Sequence, residues 1–174
     1  MKRLMGFLFI ATLLASCSSD DDNGNNGTSL EGNWKLTAFE TENAYDLNND
    51  GTASKSVMDE TNCYQNETIR FDADGTGEAT STSYADIQLT LVAGTTDEYE
   101  YTVDCVSETE VTPFVYDKDG NEVSLIITGA GNATATLSGN TLTYVIQDGF
   151  FVEVDENGTT VTVTEDITFV YTKQ

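Results

Sequence analysis

Residues 85–105 read ADIQLTLVAGTTDEYEYTVDC, and their side chains alternate twice. Ile87, Leu89 and Leu91 are apolar at every second position, as are Tyr99, Tyr101 and Val103, with Cys105 continuing the second series. A period of two puts one set of side chains on one face of a pleated strand, so each run predicts a half-buried β-strand with these residues inward. Ile167, Phe169 and Tyr171 repeat the pattern. Further strand-like segments fall near 32–40, 66–72, 77–84, 111–117, 122–128, 132–138, 140–147 and 159–164. They are rich in threonine and aromatics, which suit a pleated, half-buried surface. No long helical period is present. Asp72-Ala73-Asp74-Gly75, Asp117-Lys118-Asp119-Gly120 and Asp155-Glu156-Asn157-Gly158 separate strand-like segments, and Ser138-Gly139-Asn140 is another short reversal. Aspartate bonds the backbone in such turns and glycine accepts positive φ. Eight to ten strands joined this way predict an all-β antiparallel meander, most simply closed as a barrel so that no edge stays open. A β-sandwich has the same local signals.

Ahead of the strands, Lys2 and Arg3 precede an apolar run from Leu4 to Leu14, interrupted by Gly6 and Thr12. Eleven residues are too few to span a hydrocarbon core about 30 Å thick, so the run reads as a secretory signal. It ends in Leu14-Ala15-Ser16-Cys17, which resembles the bacterial lipobox and implies cleavage before Cys17 and lipidation of that cysteine. Ser18-Ser19-Asp20-Asp21-Asp22 resembles the acidic tag of surface-exported Bacteroidota lipoproteins, which implies the outer face of the outer membrane, with the periplasmic leaflet as the alternative. Asn23 to Gly27 carry no apolar residue and read as a solvated tether. The expected division is a signal over 1–16, a lipidated acidic tether over 17–29 and one domain over 30–174, a length that supports a single core.

Losing Lys2 and Arg3 with the signal leaves five basic residues against thirty acidic ones. Such a chain repels nucleic acid and anionic membrane surfaces, so the membrane is met only through the lipid. Cations, neutral sugars and apolar ligands remain as partners. The sequence has no histidine, which removes the commonest general base, the commonest zinc ligand and imidazole-dependent triads. No Gly-x-Ser-x-Gly stretch is present. A hydrolase built on a carboxylate pair is conceivable, but nothing in the order of residues selects two acids from thirty, so no catalytic residue is assigned. With Cys17 taken by lipid, Cys63 and Cys105 are an even pair in an oxidising compartment and predict a disulfide.

Asp46-Leu47-Asn48-Asn49-Asp50-Gly51 carries oxygen ligands at positions one, three and five and glycine at six, the first half of a calcium loop. Thr52 offers a carbonyl, but Val57 stands where a bidentate acid is expected, leaving Asp59 or Glu60 to complete the shell. About 25 residues here lack strand pattern, which in a compact domain calls for an organising element. The alternative is an Asx-rich loop that needs no ion.

The stretch LEGNWKLTAFE, with Gly32-Asn33-Trp34 opening a strand, together with residues 45–79, resembles the lipocalin-like lipoproteins of Bacteroidota. The resemblance implies a barrel whose closed end is plugged by Trp34. Thr96-Asp97-Glu98-Tyr99 is similar to a second lipocalin motif. The arginine that covers the tryptophan in that family has no counterpart near the last strand, where Lys173 is the only base, and Arg70 is the candidate substitute. The resemblance implies a non-catalytic protein holding a small apolar ligand. The alternative is a surface β-domain that binds glycans or proteins through calcium-stiffened loops.

Replacing Cys17 by alanine is expected to release the protein from membranes and abolish incorporation of labelled palmitate, because stable anchoring needs two or more acyl chains. Replacing Asp20, Asp21 and Asp22 together by alanine is expected to protect it from protease added to intact cells.

Overall fold

A computed structural model describes residues 29–95, 99–127, 131–156 and 159–174. The signal, Cys17, Asp20-Asp21-Asp22, most of the tether, Thr96-Asp97-Glu98 of the second motif and Asn157-Gly158 of the third turn lie outside the described residues. The elements in chain order are β1 (Gly32–Tyr45), β2 (Ser54–Ser56), α1 (Val57–Glu60), β3 (Thr68–Phe71), β4 (Thr76–Leu91), β5 (Tyr99–Asp119), β6 (Glu122–Ile127), β7 (Gly131–Ser138), β8 (Thr141–Glu156) and β9 (Thr159–Lys173). All pairings are antiparallel, in the order β2-β1-β3-β4-β5-β6-β7-β8-β9, and β1 also pairs with β9. That last pairing closes β1 and β3 to β9 into an eight-stranded barrel and excludes the sandwich. β2 is an extra strand against the far half of β1.

Bulges bend the strands around the barrel and change which positions face inward. Along β1, Trp34 and Leu36 are buried, then Phe39 and Thr41, because two residues oppose one where Leu36 and Ala38 meet Tyr171 and Val170. On β5 the inward set passes from Tyr101 and Val103 to Phe114 and Tyr116 across an irregularity at Ser107–Glu110. The segments expected as separate strands at 99–105 and 111–117 are therefore one strand of 21 residues. The runs 77–84 and 87–91 likewise join in β4, and 159–164 and 167–171 in β9.

The closed end is built on Trp34, which is 0% exposed and sits edge-on to Phe71 at 6.4 Å. Its indole N–H donates to the Leu30 carbonyl at 2.7 Å, so the chain entering β1 crosses beneath the ring and satisfies the one polar atom the core would otherwise strand. Leu36, Ile69, Phe71, Phe114, Val123, Leu125, Leu137, Leu142 and Tyr171 complete the packing around it. Gly77 has no room for a side chain: a β-carbon there would lie 2.5 Å from the Arg70 carbonyl oxygen and 2.4 Å from the Phe114 ring.

The cation over the indole is Lys173. Its Nζ lies 5.8 Å from the ring centroid and donates to the Ser29 carbonyl, and its stem passes Gly32, which has no side chain to meet it and whose φ of +116° favours glycine. Arg70 does not take this place. Strand alternation turns it outward beside buried Ile69 and Phe71, where it pairs with Asp72 at 3.1 Å and Glu78 at 3.0 Å on the surface. Lys173→Met is expected to lower stability by about 1 kcal/mol in a denaturant titration, against less than about 0.5 kcal/mol for Arg70→Met.

Candidate functional site

At the end away from Trp34 the β4–β5 hairpin runs on beyond its pairing with β3 and β6, and residues 46–67 lie across it as a strap. The strap is held at both edges of the hairpin. On β5, the Asn49 side-chain amide donates to the Tyr101 carbonyl at 2.7 Å and its oxygen accepts the Tyr101 N–H, so a side chain stands in for a paired strand. On β4, the Thr82 N–H and hydroxyl donate to Glu67, the Ala85 N–H donates to the Tyr64 hydroxyl at 3.1 Å, and the Ser83 hydroxyl donates to the Cys63 carbonyl. Cys63 and Cys105 form the expected disulfide, with α-carbons 5.1 Å apart. Closing a loop with a sequence separation of 42 restricts the unfolded chain by about 4 kcal/mol in the entropy account.

Cys105 was expected inward. It is exposed and lines the edge of a cleft under the strap, although Tyr101 and Val103, farther toward the hairpin tip, pack against the core. Cys63, on the strap, is buried. Leu47 and Val57 anchor the strap in the core, and Tyr64 packs edge-on to Phe39 at 4.9 Å.

The calcium-like loop is closed by its own backbone. Both Asp46 carboxylate oxygens accept N–H groups, from Asp50 and Gly51 at 2.9 Å each. Asn48 accepts the Asp50 N–H at 2.9 Å, and Asp50 accepts that of Thr52 at 2.8 Å. Glu60 is buried and receives the Asn48 N–H at 3.3 Å, which brings it to the loop, whereas Asp59 is exposed on α1. Among the described residues no three acidic or cysteine side chains are gathered to hold a metal.

Between strap and hairpin lies a cleft of about 470 Å³. Leu47, Asn48, Asn49, Glu60, Thr61 and Asn62 line it from the strap, and Tyr101, Thr102, Val103 and Cys105 from β5. Amides and hydroxyls alternate there with one phenol ring and aliphatic side chains, a mixture that hydrogen-bonds neutral groups and packs against C–H faces. Glu60 supplies a negative charge, and the excess of acids over the whole chain reinforces it against anions.

Compared with protein-family models, curated proteins and solved structures, the chain matches none.

A polar cluster that the sequence reading passed over stands beside the strap. Glu165 is 4% exposed and accepts the Asn43 N–H at 3.0 Å, the Asn43 side-chain amide at 2.6 Å and the Tyr45 hydroxyl. Tyr45 in turn packs on Phe150 at 5.1 Å and Tyr101 at 6.2 Å. Burial alone opposes the charged form of Glu165, but these hydrogen bonds outweigh it and hold its pKa below the usual 4.5. The Tyr45 phenol is pushed upward, by burial first and then by Glu165, so the proton stays on the tyrosine. Glu67 is buried in a similar way under Thr82. Both acids continue inward series, Glu67 with Ile69 and Phe71, Glu165 with Ile167 and Phe169, and a carboxylate in that phase was the signal available in the sequence. Glu60, Glu67 and Glu165, the glutamates buried among the described residues, thus accept hydrogen bonds from the fold itself.

A folded pKa below the unfolded one contributes stability above about pH 4.5 that is lost as pH falls through the folded value. Glu165→Gln is therefore expected to melt lower than the parent at pH 7. The gap should narrow as pH falls below about 4.5, as read in paired melting curves.

Proposed function

We propose that this is a non-catalytic lipoprotein, anchored through Cys17 at the outer-membrane surface, which binds a neutral saccharide in the cleft between strap and β5. The cleft itself carries the reading: its amides and hydroxyls suit a ring of hydroxyl groups, and Tyr101 and Val103 suit the apolar face of a sugar. An apolar ligand in the lumen is less well supported. The described interior is filled by its own rings, with Phe39 against Phe169 at 4.6 Å, Tyr144 against Phe169 at 5.1 Å and Tyr144 against Tyr171 at 6.1 Å. The buried acids are tied into the fold, which supports binding without catalysis. Calcium enters the proposal only as a stiffener of the rim, since Asn48 and Asn49 belong both to the Asp46–Gly51 loop and to the cleft.

Titration with a panel of neutral oligosaccharides, with palmitate as control, tests this. Asn62→Ala and Thr102→Ala, at exposed cleft positions, are each expected to weaken sugar binding by about 2- to 10-fold, the worth of a typical hydrogen bond. Calcium, but not magnesium, is expected to raise the affinity if the loop is occupied. Palmitate binding without sugar binding would return the ligand to the lumen, and sugar binding indifferent to both substitutions would move the site elsewhere.

A further inference from the structure

The outer wall of the barrel carries an apolar patch that neither the cleft nor the core uses. On β5, Val111, Pro113 and Val115 point outward at successive alternate positions, and Val115 stands directly opposite Ile126 of β6. Val111 is 52% exposed, Val115 47% and Ile126 52%. Scattered apolar residues on a surface need no explanation, but contiguous ones on a rigid sheet face mark contact sites. Beside them a cleft of about 270 Å³ opens, bordered by Gly77, Phe114, Pro113 and Val115, with Asp72 and Glu78 also lining it. Glu78 and Pro113, paired across the outer face, border it, and Gly77 and Phe114 form its buried floor.

The patch is bordered by acids. Asp117 and Asp119 follow Val115 on the same outward series, and Glu122 stands opposite Asp119. Glu78, opposite Pro113, is joined with Asp72 to Arg70. An apolar centre with a charged rim is the anatomy of a protein contact, in which an anchor side chain enters a pocket and the rim sets the choice of partner. Apart from Arg70, which is paired with Asp72 and Glu78, the rim carries one sign. A second copy of this chain would bring acids against acids, and an anionic bilayer is repelled in the same way.

We infer that the outward face of β5 and β6 around Val111, Pro113, Val115 and Ile126 docks another protein, through an apolar contact surface flanked by lysines or arginines. The apolar side chain of the partner enters the cleft beside Pro113 and Val115, and its cations meet Asp117, Asp119 and Glu122.

The probe is a soluble peptide of about twelve residues alternating lysine and valine, compared with peptides in which glycine replaces valine or glutamate replaces lysine. Binding to the intact protein is read by fluorescence anisotropy. The lysine–valine peptide is expected to bind in preference to the other two, and added salt is expected to weaken it. The triple variant V111T/V115T/I126T, which keeps β-branched or strand-compatible side chains on the outer face, is expected to weaken it at least tenfold with an unchanged melting curve. D117N/D119N/E122Q is expected to weaken it several-fold and to flatten the salt dependence. Equal binding of the lysine–glycine peptide would reduce the effect to general attraction by an acidic protein and overturn the inference. So would binding that is unchanged in the triple threonine variant, or no binding of the lysine–valine peptide at about 1 mM. Self-association in sedimentation that vanishes in the threonine variant would make the occupant a second copy and overturn the choice of partner.

Discussion

The pairing of β1 with β9 is the interaction on which the rest depends. Trp34 opposite Lys173, Leu36 opposite Tyr171, Phe39 opposite Phe169 and Thr41 opposite Ile167 bring the first and last strands into one ladder. Without it the sheet would be open, with a free edge on either side and no enclosed space for Trp34. The ladder includes Trp34 and Leu36, two of the largest fully buried side chains, so closure and their burial are one event. The bulge at Leu36 and Ala38 lets both halves of β1 present large side chains to the inside while the strand curves.

A chain with thirty acids and few cations cannot balance its charges by ion pairs, and it uses carboxylates chiefly as acceptors for backbone N–H groups. Glu67 covers the N–H of Thr82 on the edge of β4, Glu165 covers that of Asn43 beside β9, and Asp46 closes its loop on Asp50 and Gly51. Where the β4–β5 hairpin runs past β3 and β6, ladder partners run out. The strap and its side chains replace them with amide and carboxylate groups. Among the described residues no buried side-chain polar atom lacks a partner. This makes the strap part of the sheet rather than an appendage to it, and gives the cleft beside it a fixed shape.

The architecture was legible because alternation survives where strands are half buried, as in Tyr101 and Val103 or Ile167, Phe169 and Tyr171. It broke where bulges change the inward phase, so β5 read as two strands on either side of Ser107–Glu110. Trp34 and the disulfide could be read from composition and motif. Lys173 over the indole could not be fully read, since the family pattern asks for arginine and the one available arginine, at position 70, lies on the outward phase between Ile69 and Phe71. The cleft was invisible because it joins residues 47–62 to 101–105, segments brought together by Cys63–Cys105 and by Asn49 rather than by any pattern. Glu67 and Glu165 were hidden among the many acids, although their phase sets them apart.

The meander orders events in time as well as space. Each barrel strand from β3 to β9 pairs with its predecessor along the chain, so these pairings are local and can form as soon as the second strand of each pair is available. Only β1 with β9 spans nearly the whole domain, and the entropy of bringing those ends together is met last. A chain that emerges from its N-terminus therefore keeps one edge of β1 unpaired, and the apolar faces of its hairpins uncovered, until the fifteen residues of β9 are available. During that interval the unfinished sheet is at its most prone to pair with other chains.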